Sequence, residues 1–279
     1  MRPLRRVLSV LLVLVAVVLL PAALVTSWVD RTVADRTGYL DAVAPLAEEE
    51  EVQDAVATRV QVAVLGLVDA PAVAEGAVGE AVALAVRRVV ASEAFPPLWR
   101  ASNEVAHTSL VEVLSRPTGA GGEVRIDITP VVGAVLDQLP GRLLTGAIDV
   151  PPTSFAVAGT TEIDQARRVW QAVEGRGSVV PLLAAAALAL ALLVSPLRRR
   201  TGMLAAGLAL PALALLAVSL VAGRQVVEAG APRGQERELV LQVWDALVSE
   251  LWLTTAVAAG VALLLLLVLA VLPRRRAAA

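Results

Sequence analysis

The sequence predicts an α-helical membrane protein, with four transmembrane helices and a mainly helical extracytoplasmic domain that contains a small α/β lobe. Three observations lead there. The 279 residues are 57% hydrophobic and only 18% charged, whereas a soluble domain carries about 25% charged residues. Four apolar runs contain no ionisable side chain at all. The charges also sort by segment. Arg2, Arg5, Arg6, Arg198, Arg199, Arg200, Arg274, Arg275 and Arg276 sit in short stretches without a single acid. The segments 28–178 and 223–251 hold fifteen arginines against all twenty-six acids, a net charge of −11.

Residues 1–6 form a basic cytoplasmic N-terminus, and 7–29 is the first span. About 20 apolar residues cross a bilayer core. A cleaved signal peptide also starts with a positive patch, but its apolar region is shorter, about 7–15 residues, and ends at a small-x-small site. Val25-Thr26-Ser27 is a poor one, so the run reads as an uncut anchor. The other spans are 179–195, 203–222 and 252–272, with a cytoplasmic turn at 196–202 and a cytoplasmic tail at 273–279. Pro181 falls in a first turn, Pro211 predicts a kink, and Pro273 a stop. Short arginine-rich loops stay inside, so both termini are expected in the cytoplasm of a multi-pass plasma-membrane protein, with the large loop outside.

The extracytoplasmic segment 30–178 begins as helix over 30–116. Trp28 to Leu40 is expected to carry the first span outward until Gly38. Glu50 to Leu67 places Val52, Ala55, Val56, Val60, Ala63, Val64 and Leu67 on one helical face. Asp69 and Pro71 punctuate. Val78, Val82, Val86, Val89 and Val90 form the next stripe, and Ser92 can cap a helix through Phe95, Trp99, Ala106, Leu110 and Val113. After the loop Pro117–Gly122, an α/β lobe over 123–174 is expected. Val124–Ile128 alternates as a strand, Thr129-Pro130 opens a short helix, and Phe155–Val157 is a second strand, expected to pair parallel to the first. Thr161 then caps a helix with Ile163, Ala166, Val169 and Trp170 on one face. The 223–251 segment is read as a Gly/Pro-rich loop leading into an amphipathic helix (Leu239, Val243, Leu247, Val248) that feeds the last span and packs under the larger domain.

Chemistry is narrowed mainly by exclusion. No cysteine is present, which removes disulfides, thiolate catalysis and zinc–thiolate sites. There is no GxSxG, Walker A, GxGxxG or HExxH motif. No catalytic residue, metal site or cofactor is assigned. No outer basic stripe points to nucleic acid, and ion-coupled transporters usually carry ionisable groups inside their spans. Small residues recur four apart (Ala185 and Ala189, Gly202 and Ala206, Ala256 and Gly260), which allows close helix packing.

The one cluster worth weighing is Arg100, Asn103, Glu104 and His107, neighbours on a helix face. It reads either as a ligand-binding or proton-transfer group, or as a hydrogen-bonded histidine where two elements meet. Glu48–Glu51 reads as a helix start rather than a cation site, because consecutive helical residues diverge. Asp127 reads as a contact residue of the strand.

Gly38-Tyr39-Leu40 with Pro45-Leu46, Val52–Val56, Phe95 with Trp99 and His107, and Ile126-Asp127-Ile128 with Pro130 together resemble a group of uncharacterised integral membrane proteins of high-GC Gram-positive bacteria. The resemblance runs from the first span to the arginine turn. It implies the plasma membrane and no reaction. The expected role is therefore an extracytoplasmic binding or interaction domain held in the lipid bilayer, with an envelope component or another membrane protein as partner. The alternatives are a permease-like subunit of an ABC-type system, and an outer-facing hydrolase using His107.

Overall fold

The computed structural model describes residues 2–67, 75–117, 124–139, 154–158, 160–231 and 235–271. The Asp69/Pro71 stop, the loop through Gly122, Pro273 and Arg274–Arg276 lie outside these, as do the side chains of Asp127 and Thr161. The described residues are mostly helical, and the chain divides into two compact units. Unit 1 comprises 1–31, 173–226 and 248–279; unit 2 comprises 32–172 and 227–247.

Unit 1 is built from α1 (Arg2–Trp28), α8 (Val179–Val194), α9 (Arg198–Gly230) up to residue 226 and α10 (Gln235–Val271) from residue 248, the remaining turns of α9 and α10 belonging to unit 2. Among the described residues, three helices are long and apolar enough to cross a membrane: Pro3–Ala34, which takes in α1 and the turn after it, Arg198–Gly230 and Arg237–Val271. The helix α8 is equally apolar but has 16 residues, about 24 Å of rise. It lies against α1, and its two ends meet opposite ends of that helix. Ser9 Oγ donates to Ala191 O at 2.9 Å. At the other end, a Cβ on Gly177 would fall 2.3 Å from Asp30 Oδ2, so only glycine allows this approach.

The ends bearing the arginines are tied together. Ser195 Oγ and Thr201 Oγ1 are 2.6 Å apart, and Thr201 lies 3.4 Å from Ser9. Arg199 donates from Nε to Leu269 O (2.7 Å) and from Nη2 to Ala270 O (3.2 Å). Those carbonyls belong to the last turn of α10, which has no partners within its own helix. At the Asp30 end, Arg31 pairs with Glu250 at 3.5 Å.

Side chains in unit 1 pack through alanine: Ala184, Ala187 and Ala191 of α8, and Ala205, Ala206 and Ala209 of α9, are buried, while Leu182, Leu193, Leu215, Val218, Leu253 and Leu264 are exposed. Of the three expected small-residue pairs, Gly202 and Ala206 do take part in the packing, Ala206 being buried, and the other two do not. Ala185, Ala189, Ala256 and Gly260 face outward, because the buried row on α8 runs 184–187–191. Gly202 does approach a neighbour, with Leu269 Cδ1 3.0 Å from the position of its missing Cβ.

Boundaries in this unit also differ from expectation. Arg198–Arg200 form the first turn of α9 rather than a loop, since nothing after Pro196 breaks the helix. The expected Gly/Pro-rich loop after 223 is helix through Gly230. The amphipathic segment and the last apolar run do form one continuous helix, α10, of 37 residues.

Unit 2 contains α2 (Arg36–Val43), α3 (Glu50–Leu67), α4 (Glu75–Val90), α5 (Phe95–Ser115), α6 (Thr129–Leu136), α7 (Thr160–Val173) and the strands β1 (Val124–Asp127) and β2 (Ser154–Ala158). Its core is a valine stack: Val52, Val56, Val60 and Val64 of α3, Val78, Val82, Val86 and Val89 of α4, and Val131, Val132 and Val135 of α6. Phe95 and Trp99 close one side, and Leu239, Val243, Ala246 and Leu247 of α10 pack on it. Burying each of these side chains contributes about 1.5–3 kcal/mol.

The first helix does not run on to Gly38. A π-helical stretch, Val29–Ala34, follows α1. Asp35 then restarts the chain as the N-cap of α2, its Oδ1 accepting from Gly38 N at 2.8 Å. A carboxylate cap satisfies an orphan helix N–H, which is why the break falls at Asp35. Ser92 does not cap α5; its Oγ donates to Val89 O, and α5 starts at Phe95 with prolines in its first turn. The helix α6 begins at Thr129 itself, with Ile128 at the N-cap position.

The strands pair antiparallel, not parallel, with Arg125 opposite Ala156 and Ile126 opposite Phe155. A parallel pair needs its intervening helix to cross over the sheet. Here α6 packs on α3, α4 and α5 instead.

Candidate interaction site

The helix α5 is the element on which the expected site residues fall. Residues four apart share a helix face, and Phe95, Trp99, Asn103 and His107 form one such row, all buried. This row faces the chain from Val33 to Val43, and the contacts run in antiparallel order. His107 Nε2 lies 3.0 Å from Val33 O. The hydroxyl of Tyr39 donates to Asn103 Oδ1 at 3.2 Å, and Trp99 Nε1 donates to Val43 O at 2.8 Å. Asn103 Nδ2 donates to Trp99 O within α5. Tyr39 and His107 also stack, centroids 4.8 Å apart. A carbonyl can only accept, so the His107 proton sits on Nε2.

One position further round the helix is a second row. Glu104 pairs with Arg36, and Arg100 lies 3.8 Å from Asp41. All four charged side chains are roughly half exposed. The four expected site residues therefore do not share one polar face. Asn103 and His107 point inward and Arg100 and Glu104 form the rim, because each helical residue turns about 100° from the last. Each contact from 33↔107 to 43↔99 advances in register, so the rim charges read as complementary pairs along one zipper.

Desolvation pushes the Tyr39 phenol up to about 12, since the phenolate would lose its water. Next to Asn103, the buried hydroxyl of Ser102 has no hydrogen-bond partner among the described residues.

Sequence reasoning missed Tyr39, Arg36, Asp41 and the Val33 carbonyl, all in the partner stretch. The signal was present in the charge order: Arg36 before Asp41 matches Arg100 before Glu104 only if the two segments run antiparallel. It also missed Arg167, which is fully buried although Val169, expected inward, is 57% exposed. Arg167 Nε donates to Val113 O at 2.8 Å and Nη1 to Asp164 Oδ1 at 2.8 Å. Val113 lies in the last turn of α5, whose carbonyls lack helical partners, so the guanidinium closes that helix end.

Among the described residues no group of three or more His, Cys, Asp or Glu could hold a metal ion. No family model matches the chain, and no curated protein or solved structure matches it either.

Proposed function

We propose that the chain is a four-span integral plasma-membrane protein with both termini and the Arg198–Arg200 turn in the cytoplasm, displaying residues 30–178, with their α/β lobe, as an extracytoplasmic interaction domain. The observation that carries this reading is the distribution of charge along unit 1. Its acids are Asp30, Glu174 and Glu250, and two of these lie at the end where Asp30 meets Gly177 and Arg31 meets Glu250. The arginine-bearing ends meet through Ser9, Thr201 and Arg199. Basic ends retained inside and acidic ends outside are what the positive-inside rule requires. The pairing of both ends of α8 with α1 supports α8 as the fourth span; its shortness is met by local thinning of the bilayer at modest cost.

For the displayed domain, the contact groups we assign are the rim charges Arg100 and Glu104 with Arg36 and Asp41, while Asn103 and His107 form the frame behind them. The hydrogen bonding of His107 inside the unit supports this over a hydrolase built on that residue. The resemblance to membrane proteins of high-GC Gram-positive bacteria remains the proposal for kinship and supplies no activity.

The absence of cysteine makes the test direct, since any introduced thiol reports alone. Ala101→Cys, exposed on α5, should react with a membrane-impermeant maleimide in intact cells. Leu197→Cys should react only after permeabilisation. The opposite pattern would reverse the orientation and end the proposal.

A further inference from the structure

Unit 1 carries a set of cations that the protein itself does not neutralise. Arg5 and Arg6 on α1 and Arg198 and Arg200 on α9 are exposed, and among the described residues none of them makes an ion pair or side-chain hydrogen bond. Arg199, between the last two, is used internally on the end of α10. The two helices bring their arginines to one end, since Ser9, one turn beyond Arg5, lies 3.4 Å from Thr201. No acid occurs in 1–29, 177–227 or 251–279, so nothing on these helices can supply a counter-charge there. The cations at the other end differ, because Arg31 has Glu250.

Immediately next to the arginines stand exposed apolar side chains: Leu4, Val7 and Leu8 on α1, Leu197, and Leu204 on α9. A soluble anion would satisfy the guanidiniums but not this apolar flank. A phosphodiester with acyl chains satisfies both. Guanidinium groups match phosphate oxygens in a fork geometry that a zwitterionic headgroup, carrying its own ammonium, partly cancels.

We propose that this end of unit 1 binds anionic phospholipid headgroups selectively, through Arg198 and Arg200 of α9 together with Arg5 and Arg6 of α1. The inference rests on the membrane reading above and goes further by naming the lipid class. Each arginine near an anionic surface is worth about a five-fold preference at low ionic strength, and the preference falls as salt shortens the screening length to about 3 Å near 1 M.

The test uses the full chain reconstituted in phosphatidylcholine vesicles, with spin-labelled phosphatidylglycerol or spin-labelled phosphatidylcholine as probe. The expected result is a motionally restricted lipid signal for both probes, with phosphatidylglycerol favoured at least about five-fold at low salt. That ratio should fall toward one in high salt, fall part of the way in R198Q/R200Q, which keeps Arg5 and Arg6, and stay unchanged in R87Q/R88Q, whose arginines are exposed on α4. Equal association of the two probes with the wild-type chain would overturn the headgroup inference and leave the membrane reading standing. No restricted signal from either probe would overturn both. If inorganic phosphate removes the preference more strongly than sodium chloride at equal ionic strength, the site serves a soluble anion and the lipid proposal fails. Should R198Q/R200Q fail to insert, the wild-type ratio and its salt dependence decide alone.

Discussion

The two units solve opposite packing problems with nearly the same amino acids. Unit 2 turns valine inward: the α3 and α4 stripes are buried, and charged residues such as Asp54, Arg87 and Arg88 take the outside. Unit 1 turns a row of alanines inward, with a few larger side chains such as Val13, Leu213 and Leu251, and leaves many leucines and valines outside. In water the first arrangement gains from every buried methyl. In lipid that gain disappears, because hydrocarbon solvates leucine as well as a core does, and helices associate through small residues that let backbones come close. The inversion is therefore a record of the solvent each unit was selected in. Both units share one device, an arginine closing a helix C-terminus: Arg167 on α5 and Arg199 on α10.

The sharpest way to break this comparison is a charge placed in each unit. Val60 has no exposed surface, so Val60→Asp should cost about 4 kcal/mol or more and abolish the cooperative melting of unit 2. Leu215 is 67% exposed. On an aqueous surface Leu215→Asp would change stability by under about 0.5 kcal/mol. In a bilayer it should cost about 3 kcal/mol of insertion free energy, read as loss of the membrane-integrated fraction. If Leu215→Asp integrates like the wild type, the exposed leucines do not face lipid and the contrast between the units is lost.

How much of this was legible in the sequence follows from the same contrast. The helices of unit 2 were readable where a valine stripe recurs at helical period, and α3 begins and ends where Glu50 and Leu67 suggest. The apolar runs of unit 1 were readable from length alone. What escaped was decided by partners distant in the chain. Arg167 could not be recognised as buried, because its reason is the Val113 carbonyl 54 positions earlier. The inward alanine row of α8 was hidden among outward alanines of the same composition. The site was half legible: Asn103 and His107 stood out as polar residues on an apolar helix, but their partners, a tyrosine hydroxyl and a π-helical carbonyl, carry no motif.

A milder probe uses pH. Tyr39 is the only tyrosine, so its absorbance change on ionisation reports one group. Folded, it should titrate near 12; unfolded, near 10. The folded state then holds the proton more tightly, so the stability it contributes is complete below pH 10 and is lost as pH rises through 12. A shift of this size corresponds to roughly 2–3 kcal/mol. A midpoint near 10 in the native protein would mean that the contact between α2 and α5 is open to water, and unit 2 would lose its claim to a dry polar row.

The smallest effects compare one hydrogen bond in each unit. Asn103→Ala leaves the Tyr39 hydroxyl and the Trp99 carbonyl without their side-chain partner in a buried row, and an unsatisfied buried group costs about 1–3 kcal/mol. Ser9→Ala removes a bond of similar length, 2.9 Å to Ala191 O, and joins two helices just as Asn103 joins two elements. Yet hydrogen bonds between membrane helices average only about 0.6 kcal/mol, because the unfolded chain in lipid keeps its own partners. Asn103→Ala should therefore lower the denaturation midpoint of unit 2 clearly, and Ser9→Ala should leave the association of α1 with α8 almost unchanged. Equal losses at the two sites would mean that water, not lipid, sets the reference state for both units.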